Sequence, residues 1–158
     1  MAVTLRTARP SDRDAVVELI HRLNLFEADL VGDRRRDYGG AIGYYDELLQ
    51  RLSRRQGRIV LAEEGRVVVG AMGYCVDEDA AYVTDDVRRH GTVTDLIVHE
   101  ERRGRGIGRM LLREAERLTR EAGLKRLFIG ALVANEPAWR IYERFGFEPY
   151  VSLLIKEL

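Results

Sequence analysis

Arg103-Gly104-Arg105-Gly106-Ile107-Gly108-Arg109 is the stretch on which the reading of this chain turns. It follows the branched apolar run Leu96-Ile97-Val98, and it opens a segment in which Ile107, Leu111, Ala115, Leu118 and Ala122 recur at helical spacing. A strand that passes through a glycine-rich turn into a helix leaves several backbone N–H groups unpaired at the positive end of the helix dipole. Glycines at 104, 106 and 108 allow unusual dihedrals and let a phosphate approach with no Cβ in the way. Arg102, Arg103, Arg105 and Arg109 surround the turn with fork-shaped cationic donors. Such a turn is an anion cradle.

Two common phosphate loops do not fit it. The dinucleotide pattern G-x-G-x-x-G, started at Gly104 and Gly106, needs glycine at 109, where Arg109 stands, and the next strand pattern, 127–131, ends without a ribose-binding acid. A P-loop needs Gly-Lys followed by Ser or Thr, which occurs nowhere in the chain.

Outward from the turn, the periodic segments alternate with short punctuation and without repeats or linkers. Residues 3–9 read as a strand. Ser11, with Asp14 three residues on, predicts the cap of a helix whose apolar stripe is Val16, Leu19, Ile20 and Leu23. The pattern breaks over 24–43 and resumes as a helix over 44–55. Strands are predicted over 58–63, 66–76 and 92–99, the first two joined by Glu64-Gly65, as an antiparallel meander. After the 103–109 turn comes a helix that Gly123 ends, a strand over 127–133, a helix over 136–145 with Pro137 early and Gly146 just past its end, and a last strand over 148–155. The expectation is one α/β (α+β) domain over 1–158, of order β-α-α-β-β-β-α-β-α-β, with a mixed sheet and helices on its faces.

Acidic and basic residues balance at 26 each, which excludes a polycation drawn to nucleic acid or anionic membrane. Cys75 is the only cysteine, so neither an intrachain disulfide nor a cysteine metal cluster is expected, and its mid-strand place suits a small core residue. The N-terminus lacks the apolar run of a signal peptide, and no stretch approaches a membrane span, so a soluble cytoplasmic protein is expected.

R-x-x-G-x-G at Arg103, Gly106 and Gly108, between Leu96-Ile97-Val98 and Leu111-Leu112, resembles the GCN5-related N-acetyltransferase (GNAT) family. A second part, Asn135-Glu136-Pro137-Ala138-Trp139-Arg140-Ile141-Tyr142-Glu143-Arg144-Phe145-Gly146-Phe147, looks like the family's downstream motif of Asn, a helix containing Tyr, then Gly-Phe. Together they cover nearly the whole chain. The resemblance implies a mixed, mostly antiparallel central sheet flanked by helices on both faces. It implies acetyl-CoA as acyl donor and no metal, with the pyrophosphate on Arg103, Gly104, Arg105, Gly106, Ile107, Gly108 and Arg109. The pantetheine arm would run along Leu96, Ile97 and Val98, with Asn135 holding it, capping its helix, or both. A backbone N–H near Ile97, where the central strand bulges, would stabilise the oxyanion.

In the same resemblance Tyr142 contacts the donor and is the acid for the departing thiolate, and a core tyrosine is the competing reading. Asp95 is a candidate water-mediated base, and a structural or substrate-orienting role fits it as well. His99 reads as a solvated turn histidine. The first two helices would wall the acceptor site with Phe26, Glu27, Asp29 and Tyr38. Their acids suit a cationic amine, whereas Arg34-Arg35-Arg36 suits a carboxylate or a solvated charge run. Tyr44 and Tyr45 add stacking surface. The implied activity is acetyl transfer to a primary amine of a small molecule or protein, such as a polyamine, amino sugar, amino acid or protein terminus. The alternative is a non-catalytic acyl-CoA-binding or sensor module, against which Asn135 and Tyr142 count. Family members often pair as homodimers through late strands of the sheet.

Overall fold

A computed structural model describes residues 1–158. Five strands form one sheet in the order β1-β2-β3-β4-β5: β1 (Val3–Thr7), β2 (Arg58–Glu64), β3 (Val67–Glu78), β4 (Arg89–Val98) and β5 (Leu127–Ile129). β1 to β4 pair antiparallel, and β5 joins β4 in parallel. β2 and β3 read as continuous apolar runs because both faces are covered. Ile59 and Leu61 face a cluster with Val16, Val17, Leu19 and Ile20 of α1 (Arg13–Val31) and Ala41, Tyr45, Leu48 and Leu52 of α2 (Tyr38–Arg54). Val60 and Ala62, one residue out of step, face Ile107, Leu111, Leu112, Ala115 and Leu118 of α4 (Ile107–Glu121), where Tyr142 and Phe145 of α5 (Glu136–Phe145) also pack.

The architecture is the expected mixed sheet with helices on both faces, and several boundaries differ. The break predicted over 24–43 shrinks to the link between Val31 and Tyr38. Gly39, Gly40 and Gly43 are poor helix formers, but burying Ala41, Tyr45, Leu48 and Leu52 on the sheet overrides that preference. Asp37 supports the new start by accepting from the Gly40 N–H at 3.0 Å. Ser11 is not the cap of α1: it lies in a single 3₁₀ turn, Pro10–Asp12, while Asp12 accepts from the Arg9 N–H at 2.6 Å and pairs with Arg6 at 2.8 Å. Arg6 and the Arg9 N–H hold the Asp12 carboxyl down at about 2. β4 begins at Arg89, three residues early, preceded by a one-turn α3 (Asp85–Arg88) that the pattern did not show.

The last predicted strand, 148–155, does not form. The chain passes β5 where the Tyr150 ring lies 5.3 Å from that of Phe128, but no backbone pairing follows, and Val151, Leu153, Leu154 and Ile155 are exposed. Apolar, branched composition favours an extended segment without naming the edge that must complete it.

One irregularity positions everything that follows. Gly73 of β3 stands opposite Asp95, yet Tyr74 stands opposite Val93, so Thr94 is an extra residue, a bulge in β4. The bulge lies at Thr94, three residues before the expected place near Ile97. β3 accommodates it with a glycine, since a Cβ at Gly73 would lie 2.1 Å from the Thr94 Oγ1. Gly73→Ala is therefore expected to destabilise the protein by about 1–3 kcal/mol in urea denaturation. Gly43→Ala, on α2 where an added Cβ meets nothing within 4 Å, is expected to be neutral or to stabilise by about 0.5–1 kcal/mol. Equal midpoints for the two variants would contradict this account of the bulge.

Candidate active site

The glycine-arginine turn begins where β4 ends. A one-turn helix, Glu100–Arg102, leads to Gly104 (φ 75°) and Gly106 (φ 81°), both in the left-handed region that glycine enters without penalty. Gly106 is the N-cap of α4, and the first helical hydrogen bond is Met110 N–H to Gly106 C=O at 3.0 Å. The six consecutive N–H groups from Gly104 to Arg109 therefore have no acceptor within the protein, at the positive end of a 15-residue helix. Glu64, at the end of β2, holds this turn from behind, accepting from Arg102 at 2.8 Å and Arg105 at 2.6 Å. Those two guanidinium groups keep its carboxyl below the usual range. Sequence reading missed Glu64, which shows only as half of a turn dipeptide and meets the arginines through the fold alone. Arg103 bonds the Val98 carbonyl at 3.1 Å and lies 5.7 Å over the Phe26 ring.

A gap opens beside the turn. β4 pairs with β3 as far as Val98 but with β5 only from Gly91 to Val93, so β4 beyond Val93 has a free edge. The direction of each peptide group along that edge follows from the ladder. His99 N–H bonds Val69 C=O at 2.9 Å and Ile97 stands opposite Ala71, so the Ile97 N–H points at β3. Those of Leu96 and Val98 point into the gap. The N–H expected to serve near Ile97 is thus spent on the sheet, and its two neighbours are the available donors.

Asp95 follows the bulge, and its carboxylate reaches α2, where the Tyr44 hydroxyl donates to both oxygens at 2.9 Å. Burial lifts the Asp95 carboxyl above the ordinary carboxylate range, against the hydrogen bond from Tyr44. Tyr142, half-buried on α5, has its hydroxyl pushed up to about 12, first by burial and then by the charges of Glu27 and Asp95. Asp95, Tyr44, Tyr142 and Glu27, from four different elements, thus share one electrostatic environment. Tyr44 carried no signal in sequence beyond stacking surface, because its carboxylate partner is 51 residues away.

The other expected residues divide. Phe26 lies under Arg103 beside the turn, and Glu27, which accepts from Arg34 at 2.9 Å, is near enough to Asp95 and Tyr142 for its charge to be felt by both. Asp29 is exposed and paired with Arg36, and Tyr38 packs edge-on against His21 at 5.0 Å, so neither is brought to the Asp95 group. The Arg34-Arg35-Arg36 run is answered within its own segment: Arg34 by Glu27 and Asp33, Arg35 by Asp37, Arg36 by Asp29. Asp77 of β3 pairs with Arg51 of α2 at 2.8 Å and with Arg55, the residue after the helix, at 2.5 Å. Asn135 accepts from the Ala138 N–H at 3.3 Å as the N-cap of α5. His99 accepts from the Glu101 N–H at 3.4 Å in the turn. No group of three or more His, Cys, Asp or Glu side chains is placed to hold a metal ion, and no helix is long and apolar enough to cross a membrane.

A helix start with free N–H groups, a strand edge open beside it, and an acid–tyrosine pair at the far end of that edge thus lie along one gap in the sheet. The sequence profile of the acetyltransferase (GNAT) family matches residues 24–147, and the chain belongs to that family. It is 30% identical over 106 residues to a candidate alanine N-acetyltransferase of ribosomal protein bS18 from Bacillus subtilis (strain 168), covering 67% of this chain and 62% of the relative's length. It is also 30% identical over 135 residues to an IAA acetyltransferase of Azospirillum brasilense, covering 85% of this chain and 78% of that one. Among solved structures, a Clostridium acetobutylicum protein with acetyl-CoA superposes with a TM-score of 0.71 at 18% identity, over 99% of this chain and 96% of that one.

Cys75 takes no part in this arrangement. It is fully buried, and burial together with Asp77 pushes its thiol up to about 11. At pH 8 the folded protein is expected to leave Ellman's reagent essentially unreacted, with one equivalent titrating in denaturant. Rapid labelling of the folded protein would show the thiol to be accessible and ionised.

Proposed function

We propose that the chain transfers an acetyl group from acetyl-CoA to the primary amine of a cationic small molecule or peptide by direct attack. The observation that carries this reading is the row of six unpartnered N–H groups, Gly104 to Arg109, at the mouth of the gap between β4 and β5. A diphosphate fits such a row, since its oxygens accept from successive N–H groups and Arg103 and Arg109 add charge. Val98 and Leu96 then line the path of the pantetheine arm. When bound, the donor supplies an acetyl thioester, whose C–S bond breaks as the new C–N bond to the amine forms.

The chain's own groups do the rest. Asp95, its basicity raised by burial, accepts the proton of the acceptor ammonium through a water. The N–H groups of Leu96 and Val98 stabilise the negative charge that develops on the carbonyl oxygen. Tyr142, protonated at neutral pH, donates the proton that the departing thiolate takes up and regains one from the proton that the nitrogen sheds, through water, as the amide forms. The carboxylate of Asp95 favours a positively charged acceptor, Glu27 being already paired with Arg34. The Bacillus relative's name points to a protein N-terminus, which lies within the same class of amine.

The test is thiol release from acetyl-CoA across a panel of polyamines, amino sugars, amino acids and peptides, beside thermal stabilisation by the donor. Stabilisation without release on any amine would favour the acyl-CoA sensor instead. Gly108→Glu is expected to abolish donor binding by calorimetry while the fold survives, because the new Cβ meets only Val98 at 3.9 Å but the carboxylate enters the cradle. Tyr142→Phe is expected to lower kcat roughly ten- to ten-thousand-fold with donor binding little changed. Unchanged turnover would remove Tyr142 from the mechanism.

A further inference from the structure

The Tyr44 phenol on α2 is a fixed donor aimed at the one carboxylate that the bulge turns into the site. Its oxygen is 2.9 Å from Asp95 Oδ1 and 2.9 Å from Oδ2, so it straddles the carboxylate and sets the plane of the group. An ionised carboxylate offers about four acceptor directions, and this arrangement leaves the outer ones for a water or an amine. We propose that Tyr44 is a positioning residue for acetyl transfer, orienting the Asp95 carboxylate toward the acceptor amine. This rests on the reading of Asp95 as the base.

Docking of α2 does not need the hydroxyl. Ala41, Tyr45, Leu48 and Leu52 are buried beneath the helix, and Arg51 and Arg55 tie it to Asp77 of β3. The phenol is also a permanent donor: burial and the adjacent Asp95 charge hold its proton on far above neutral pH. Around Asp95 stand Tyr44 and Arg51 from α2, Glu27 from α1, Thr94 of its own strand and Tyr142 from α5. Tyr44 and Arg51 favour its charged form, while Glu27 and burial oppose it. Removing the Tyr44 hydroxyl therefore raises the Asp95 pKa, and a base that protonates more readily fails at a higher pH.

The experiment is the pH profile of kcat/KM, using acetyl-CoA and the best amine of the panel, for wild type, Tyr44→Phe, Asp95→Asn and the double variant. Phenylalanine keeps the ring in place, and carboxyl carbon NMR of Asp95 in the unliganded protein follows its titration independently of turnover. Tyr44→Phe is expected to lower kcat/KM about tenfold at neutral pH and to move the acid limb up by about one pH unit, with the NMR titration moving in parallel. In the Asp95→Asn background the same change is expected to cost nothing further. An acid limb that stays in place, or equal losses with and without Asp95, would overturn the positioning role even if Asp95→Asn is inactive. If Asp95→Asn retains full turnover, the base assignment falls first and the role of Tyr44 falls with it.

Discussion

β4 must pair with β3 along its length and part from β5 after three residues, and the rest of the molecule is arranged around that parting. A strand edge abandoned inside a sheet leaves N–H and C=O groups in want of partners, an arrangement that persists only where a ligand or water can reach them. The Thr94 bulge falls just where β4 and β5 part, and Gly73 makes room for it. The same residue count then sets the faces: Asp95 and Ile97 look toward α1 and α2, while Leu96 and Val98 look toward α4. In the proposed reading, acceptor chemistry and donor binding lie on opposite faces of one strand and meet at its free edge.

Two clusters, one on each face, hold the strands against this opening. The α4 cluster matters more to the cradle, because Ile107, Leu111 and Leu112 are essentially inaccessible and fix the helix whose first turn carries the free N–H groups. Charge is organised as locally as packing. With 26 acids against 26 bases, most guanidinium groups find carboxylates; around the cradle Glu64 binds Arg102 and Arg105 at the back, and Glu101 lies 4.0 Å from Arg102. Exposed pairs of this kind contribute little stability. Their effect is to fix where the remaining positive charge points.

Much of this was legible beforehand, and the misses share a cause. The cradle, α4 and α5 are local objects: a glycine spacing, a 3.6-residue period, Pro137 and Gly146 at the helix ends, all read from consecutive residues. The start of α2 was missed because three glycines argue against a helix that the sheet nevertheless stabilises by burying its other side. The segment 148–155 stays unpaired for the converse reason, since its composition favours extension while its pairing depends on an edge elsewhere. The bulge was expected but misplaced, because register is a relation between strands that neither sequence contains alone.

By itself, then, the sequence determined the order of the elements from β1 to α5 apart from the one-turn α3, the glycine-rich start of α4 and the family to which the chain belongs, all of which depend on residues close together in the chain. Tertiary structure alone decided that Glu64 backs the turn, that Leu96 and Val98 rather than Ile97 offer their N–H groups, and that Tyr44 meets Asp95. Each of these joins residues that approach only when strands are laid in register and a helix is packed across them. Hydrogen bonds are set within tenths of an ångström, and composition and spacing along a chain do not carry that precision across folded distances.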